Sequence, residues 1–457
     1  MPVVSQLRES LPAEIVIDDP DVLATYAQDH GAWARVGKPA CVVRARGTAD
    51  VQAVVRACIA TGTPVVARGA GTGLSGGANA TDGCVVLSLD RLDRVLAIDP
   101  VERIAVVQPG VVNNDLRAAV AEHGLWYPPD PASAAWSTIG GNVATNAGGL
   151  CCVKYGVTRE YVLGMEVVNG LGEIVRLGRR TAKGVAGYDL TALLVGSEGT
   201  LGIVTEVTLR LLPARLPEIT VAAQFDTLGQ AADAITGVAR AGIVPSVLEL
   251  LDAATLKAVD DWKNLGVSAE GNYMLLANTD VPGESGQREA AAMQRVFDDA
   301  GAGFSAIAGD QEEVDALFAA RRLAYFALER HGPVITEDVC VPKAKVPAMI
   351  RRLEEISAEH DVYIATLAHA GDGNLHPCMP MPPDAGEDLQ KRALAAFDDI
   401  IDAAIELGGT VTGEHGVGLL KMAGLAKELG PEVIAMHRAV KAALDPHGIL
   451  NPGKIFT

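Results

Sequence analysis

Two histidines bracket a glycine turn in His369-Ala370-Gly371-Asp372-Gly373-Asn374-Leu375-His376, directly after the strand-like run YIATLA. Chain geometry lets the two imidazoles converge across such a turn. Farther along, Glu414 and His415 sit between glycines in TGEHGVG. Two imidazoles and one carboxylate make a coordination set for a borderline-soft divalent ion, zinc first, with a position left for substrate. Manganese or iron could use the same donors. Each residue also has a plainer reading: a hydrogen-bonded core histidine at 369, a strand-end residue at 376, a helix cap at 414. Of the nine histidines, His123 and His437 are isolated, and His30, His331, His360 and His447 read as structural or surface residues.

A second kind of chemistry is written in glycine. Arg68, Gly69, Ala70, Gly71, Thr72, Gly73, Leu74, Ser75, Gly76 and Gly77 close the apolar run PVVAR and follow it. Phosphate oxygens need several converging N–H groups and no obstructing Cβ, and residues this small supply both. The spacing is neither the Rossmann fingerprint nor GxxxxGK[ST]. A second run, from Thr138 through Gly141, Asn142, Thr145, Asn146 and Gly148 to Gly149, adds side chains that can bond hydroxyls or phosphate. A third run, GSEGTLG with Glu198, Gly199 and Gly202, leads through Ile203 into an apolar stretch. One such loop taken alone can also be read as a flexible turn. Three within one region favour an extended cofactor lying along a groove.

The elements that must position these groups are α+β in character. CVVRARG, PVVAR, CVVLSLDRL, RVLAIDP and RIAVVQPG read as short strands, too closely spaced for a clean βαβαβ unit. TADVQAVVRACIATG reads as a helix with a Thr or Asp cap and Val51, Val54, Val55 and Cys58 on one face. VNNDLRAAVAEHG predicts a helix opened by Asn and closed by Gly124. The stretch 125–149 shows no periodicity, which for that length implies wrapping of a ligand. After Pro213 and Pro217, short β-like pieces alternate with long helices, predicting a second α/β domain of ferredoxin-like units. The end is helical with a Gly- and Pro-rich terminus.

Bulk properties narrow the classes. With 457 residues, more than one core is expected. A net charge of −19 without clustered Lys and Arg excludes a phosphate-backbone footprint, so no nucleic-acid partner is expected. Seven cysteines, odd in number and without CxxC, argue against a disulfide framework. No secretory signal or spanning segment is recognisable. The expectation is a cytoplasmic protein, with peripheral association at the inner face of the membrane and a homodimer left open.

The motifs RGAGTGLSGGA, PPDPAS, TIGGNVATNAGG, KYGVT, GYDLTALLVGSEGTLGIVTE, HAGDGNLHP, GEHGVG and NPGKIF run nearly the whole chain in one order. Together they resemble the FAD-binding PCMH-type oxidoreductases, the vanillyl-alcohol oxidase superfamily. The branch they look like is that of D-lactate dehydrogenases, glycolate oxidase flavin subunits and D-2-hydroxyglutarate dehydrogenases. The resemblance implies a two-part FAD-binding domain over 1–215, a central substrate (cap) domain over 216–410 and a C-terminal segment over 411–457. It implies FAD along the three glycine runs, with Pro129 of PPDPAS and Asn451 of NPGKIF among its contacts. It assigns the metal ligands to His369, His376 and Glu414, the catalytic base to His415 and a substrate-carboxylate clamp to Arg321. Arg322 is the neighbouring competitor and Lys343 a further candidate, while Phe318 stands where relatives carry Trp. Two cysteines at 151–152 replace any flavin-linking His motif, so dissociable FAD is expected.

The implied reaction is oxidation of a short D-2-hydroxy acid, D-lactate or glycolate-like, to the 2-oxo acid. The acceptor would be a quinone, a cytochrome, an electron-transfer flavoprotein or oxygen. D-2-hydroxyglutarate oxidation, an ether-lipid synthase-like transferase, an aromatic-alcohol oxidase and a non-catalytic flavoprotein subunit are the alternatives.

Overall fold

The computed structural model describes residues 2–268 and 272–456. Contacts divide the chain into two units: 1–148, 157–214 and 414–457 form the first, and 149–156 with 215–413 the second. Residues 149–156 thus lie inside the span expected for the flavin domain but pack with the other unit.

The first unit holds two sheets. In the four-stranded one, Cys41–Arg44 and Val65–Arg68 flank Val85–Ser88, both in parallel, with Val16–Ile17 antiparallel on the outer edge. The crossover is the helix Thr48–Thr61, whose Val51, Val54, Val55 and Cys58 are all fully buried. That i, i+3, i+4, i+7 stripe is what packs it on the sheet. The expected side-chain cap is not formed. Gly47 occupies the cap position, the Thr48 hydroxyl donates to Glu166 at 2.8 Å, and the Asp50 carboxylate accepts from the Arg46 amide at 2.9 Å. The crossing delivers Arg68 to the carboxyl end of its strand, where α/β sheets collect ligands. Beside that strand lies the C-terminal tail: the Val65 amide donates to Ile449, and the Asn451 amide to Val65, both at 2.8 Å.

The second sheet of this unit is antiparallel, in the order Val95–Asp99, Ile104–Val107, Ile203–Arg210, Val162–Val168, Ile174–Gly178. Against it packs the helix Asn113–Ala121 through Leu116 and Val120. Asn113 does not cap that helix; it is fully buried and donates to the Pro129 carbonyl at 3.1 Å. The stretch 125–149 is less irregular than its sequence implies. Leu125–Trp126 pairs with Leu212–Pro213, and Ile139–Thr145 is a helix capped by Thr138 and closed by Asn146 at φ 56°.

In the second unit, the strands run Phe304–Ile307, Ile219–Phe225, Tyr273–Thr279, Val247–Leu251, Ala365–His369, Asn374–Pro380, Val334–Thr336, with Val339–Cys340 also on Asn374–Pro380. The first four, read by sequence, lie in the order 4-1-3-2, which is the ferredoxin-like split βαβ arrangement. Every pairing is antiparallel, so this domain is α+β rather than the α/β expected from its alternating elements. The helix Gln311–Glu329 packs through Phe318, Ala320 and Ala324 into the core around Leu251 and Leu367. The helical C-terminal stretch Met422–Leu444 breaks at Gly430, φ 74°, before Pro431. Among the described residues no helix is long and apolar enough to cross a membrane.

Candidate functional site

The glycine loop after Arg68 is shaped by what surrounds it. A Cβ on Gly69 would strike the Thr138 hydroxyl, and one on Gly71, at φ +75°, the Arg68 guanidinium. Gly71 needs glycine for its backbone conformation, and a side chain at Gly69 would force Thr138 to move. Thr138 accepts from the Gly141 amide at 3.3 Å, so this cap and the loop meet face to face. Thr145 donates back to the Gly141 carbonyl at 3.2 Å, and Asn146 accepts from the Arg159 amide at 2.9 Å. Those two side chains are therefore engaged within the protein, whereas Asn142 keeps a buried amide nitrogen with no partner. Arg68 likewise keeps a buried, unpartnered Nη1, and burial pulls its pKa down. Orphaned buried donors cost about 1–3 kcal/mol each, a cost that a bound anionic diphosphate and polyol remove. The cradle fits the cofactor.

The third glycine run is held by its own glutamate. Glu198 sits at φ 50°, and its carboxylate accepts from the Val417 and Gly418 amides at 2.7 and 2.9 Å. Burial pushes its pKa up to about 7 against the pull of those two amides. Gly199, Gly202 and Ile203 follow, the last opening the strand Ile203–Arg210. Asn451 donates to the carbonyls of Gly77 at 2.9 Å and Glu198 at 2.7 Å. The Glu198 carboxylate and the Asn451 amide nitrogen thus join loops, while Asn451 Oδ1 is buried without a hydrogen-bond partner. Ser75 donates to the Gly416 carbonyl at 2.8 Å and more weakly to that of His415. Gly148 abuts Glu414, since a Cβ there would meet the carboxylate. Gly149, by contrast, belongs to the second unit.

Two residues of this cradle escaped sequence reasoning: Asp29 lies in no motif, and Lys454, although within NPGKIF, gives no sign there of its role. Lys454 is 2% exposed and donates to the carbonyls of Gly76, Gly77 and Asn79 at 2.9, 3.3 and 2.7 Å. Burial lowers its pKa to about 8. Asp29 accepts from the Gly31 and Ala78 amides at 2.9 and 3.3 Å, behind the same loop.

In the second unit the two site histidines come from neighbouring antiparallel strands. Leu367 pairs with His376 and His369 with Asn374, which puts both imidazoles on one face in diagonal positions. Their rings stand edge to face at 87° with centroids 5.1 Å apart, and a nitrogen of each lies within 4.8 Å of the other. Both residues are 6% exposed. His369 Nδ1 faces Glu249 Oε1 at 2.6 Å, and His376 Nδ1 lies 3.7 Å from Asp338. Carboxylates behind ring nitrogens are the usual support of metal-binding histidines. The Thr412 hydroxyl donates to Asp338 at 2.7 Å, and the Gly413 amide to the Asp338 carbonyl at 3.3 Å. These bonds fix the chain immediately before Glu414.

Arg321 reaches the same face from the helix Gln311–Glu329. Its Nε donates to Glu249 Oε2 at 2.6 Å, and that is its one side-chain hydrogen bond among the described residues. Arg322 is exposed and donates to the Asp315 carbonyl of its own helix at 3.0 Å. The geometry separates the two arginines. Lys343 is exposed, and Phe318, 8% exposed, is core. Glu249 was not foreseeable, being a single acid in the apolar run SVLELL, and Asp338 shows only as part of an acidic dipeptide. Burial raises the pKa of Glu249, but the charges and hydrogen bonds of His369 and Arg321 prevail and bring it below the usual glutamate value.

Two family models match this chain. One, described as FAD linked oxidases, C-terminal domain, covers residues 217–455, and the other, FAD binding domain, covers 39–178. The chain belongs to the FAD-linked oxidases. The FAD binding domain match spans Arg68 and Asn142, two of the orphaned donors, so this FAD-linked oxidase is an FAD-dependent oxidoreductase. It is 43% identical to the glycolate oxidase subunit GlcD of Bacillus subtilis (strain 168) over 92% of this chain and 89% of that one. It is 35% identical to the D-lactate dehydrogenase of Anaerostipes hadrus over 99% of this chain and 97% of that one. Its fold matches the 4-ethylphenol oxidase of Gulosibacter chungangensis with a TM-score of 0.81 at 21% identity, covering 99% and 96% of the two chains.

Proposed function

We propose that this FAD-linked oxidase converts a short D-2-hydroxy acid of the lactate or glycolate class to the 2-oxo acid. The observation that carries this reading is the shared face of His369, His376 and Arg321, two metal-type donors beside a carboxylate-type clamp. The names of the relatives agree with it.

FAD, held without a covalent bond by the 68–77 loop, Thr138, Asn142 and the 196–203 run, supplies the two-electron acceptor. A divalent ion, zinc by donor type, would be held by His369 and His376 with Glu414 and would supply Lewis acidity toward the substrate hydroxyl. With Nδ1 of His369 donating to Glu249, its Nε2 carries the lone pair a metal needs. Arg321 presents its terminal nitrogens to the substrate carboxylate in a paired contact. His415 takes the hydroxyl proton as the α-hydrogen leaves with its electron pair. A second carboxylate, as in 2-hydroxyglutarate, would need another cation on this face. Arg322 and Lys343 are both exposed, which favours the shorter acid.

Anaerobic mixing with D-lactate, glycolate and D-2-hydroxyglutarate, followed at the flavin absorbance band, tests the reading. Reduction by either short acid at least tenfold faster than by hydroxyglutarate is expected, and no bleaching by any of the three refutes it. His415→Asn should slow reduction by about 100-fold or more, the usual range for loss of a general base. An unchanged rate constant removes His415 from the mechanism.

A further inference from the structure

We infer that Glu249 is a positioning residue that orients the metal-binding imidazole of His369 and the carboxylate clamp of Arg321 through one shared carboxylate. The inference rests on the function proposed above.

Glu249 is fully buried on Val247–Leu251, a strand whose Leu250 pairs with Ala368 and whose Leu251 pairs with Leu367. Its two oxygens serve different partners at the same separation, His369 Nδ1 on one and Arg321 Nε on the other, each at 2.6 Å. A carboxylate is planar, so two partners bound to its two oxygens are fixed in one frame. The bond to Nδ1 sets the tautomer of His369 and turns Nε2 away from the strand. The bond to Nε leaves the terminal edge of the Arg321 guanidinium for a ligand. Neither partner can tilt without pulling on the other through the same side chain.

Stability alone does not account for this acid. A buried ion pair is often no more stabilising than apolar residues of the same volume, and the rest of Val247–Leu251 is apolar and buried. Its placement is explained if the two groups it holds must keep a set distance and direction. Metal affinity and substrate affinity should then be coupled through a residue that touches neither.

Glu249→Gln is the direct test. A glutamine has one accepting oxygen, so one partner must meet its NH2 group instead. If that partner is Arg321, two donors face each other. If it is His369, Nδ1 must accept and the proton moves to Nε2, which blocks coordination. In the FAD-loaded, metal-stripped enzyme, zinc titration by calorimetry should show Kd weaker by about 10–100-fold than in the wild type. After metal is restored, the KM for D-lactate in flavin reduction should rise at least tenfold, with a smaller change in kcat. FAD content and melting temperature give the structural control. Zinc Kd and KM both within twofold of wild type overturn the inference, as does a loss of kcat with both constants unmoved. If the glutamine variant does not fold, Glu249→Asp replaces it. That side chain keeps the charge but is too short to reach both partners, so the same weakening is expected and its absence overturns the inference. If no 2-hydroxy acid bleaches the wild-type flavin, the functional reading falls, while the zinc arm still decides for or against Glu249. A wild-type enzyme that takes up no zinc overturns the inference.

Discussion

Arg68 shows how much one side chain can decide. Its guanidinium lies where a Cβ on Gly71 would stand, and one of its terminal nitrogens is buried without an acceptor. A charge-assisted hydrogen bond to a diphosphate oxygen is worth about 1.5–3 kcal/mol. Arg68→Met should therefore weaken FAD binding by roughly 10–100-fold, read by the recovery of flavin fluorescence on dilution. An unchanged FAD Kd would mean that the arginine does not face the cofactor. Gly71→Ala should do similar damage for a different reason, since its φ of +75° strains any L side chain. The motif RGAGTGLSGG makes the loop legible in the sequence itself. Glu249 was invisible because its partner His369 lies 120 positions away, and no spacing rule connects an acid in one apolar strand to a histidine that far along.

At the scale of elements, a lysine near the C-terminus acts as a peg for a loop near the N-terminus. Lys454 bonds three carbonyls of the 76–79 stretch, and Lys441 bonds those of Thr200 and Leu450, each at 2.7 Å. Lys454→Met should raise the FAD Kd at least tenfold without changing the KM for the hydroxy acid once the enzyme is saturated with flavin. An equal FAD Kd for variant and wild type would show that the peg is dispensable. Helix caps give a pH signature instead. Asp252 caps Ala253–Lys263 and accepts from the Thr255 and Thr366 amides at 2.8 and 2.7 Å. Burial nevertheless raises its pKa from 3.8 to about 6. Between those two values the unfolded chain has lost a proton that the folded chain keeps, so this group makes stability fall as pH rises. Asp252→Asn should remove that decline from the pH dependence of denaturant unfolding between about pH 4 and 6, and a parallel dependence in both proteins would contradict it. The helix Ile139–Thr145 was hidden at this scale, because two adjacent glycines in IGGNVAT carry a loop signature. Thr138, a good cap, outweighed them once the turn packed on its neighbours.

For the whole molecule, the division into two units predicts where flavin is felt. FAD at one hundred times its Kd should stabilise its unit by about 2.7 kcal/mol. Hydrogen exchange should then slow within 1–148, 157–214 and 414–457, most of all around Arg68, Glu198 and Lys454. Slowing confined to 215–413 would place the cofactor elsewhere. The α+β class was readable because strand and helix periods are local properties. The ferredoxin-like order of the first four strands in the second unit was readable as well, but alternating strands and helices also fit a parallel sheet, which is why the α/β label attached to that unit was wrong.

The interleaving of the two units also has a bearing on synthesis. The chain passes from one to the other after residues 148, 156, 214 and 413. A ribosome therefore releases the glycine loop long before Asn451 and Lys454, the groups that hold its carbonyls, have been made. The unit containing the cradle is begun first and is finished only after 215–413 has been made. Until then the loop lacks the groups that hold it, so tight capture of FAD is expected only after Lys454 has been made.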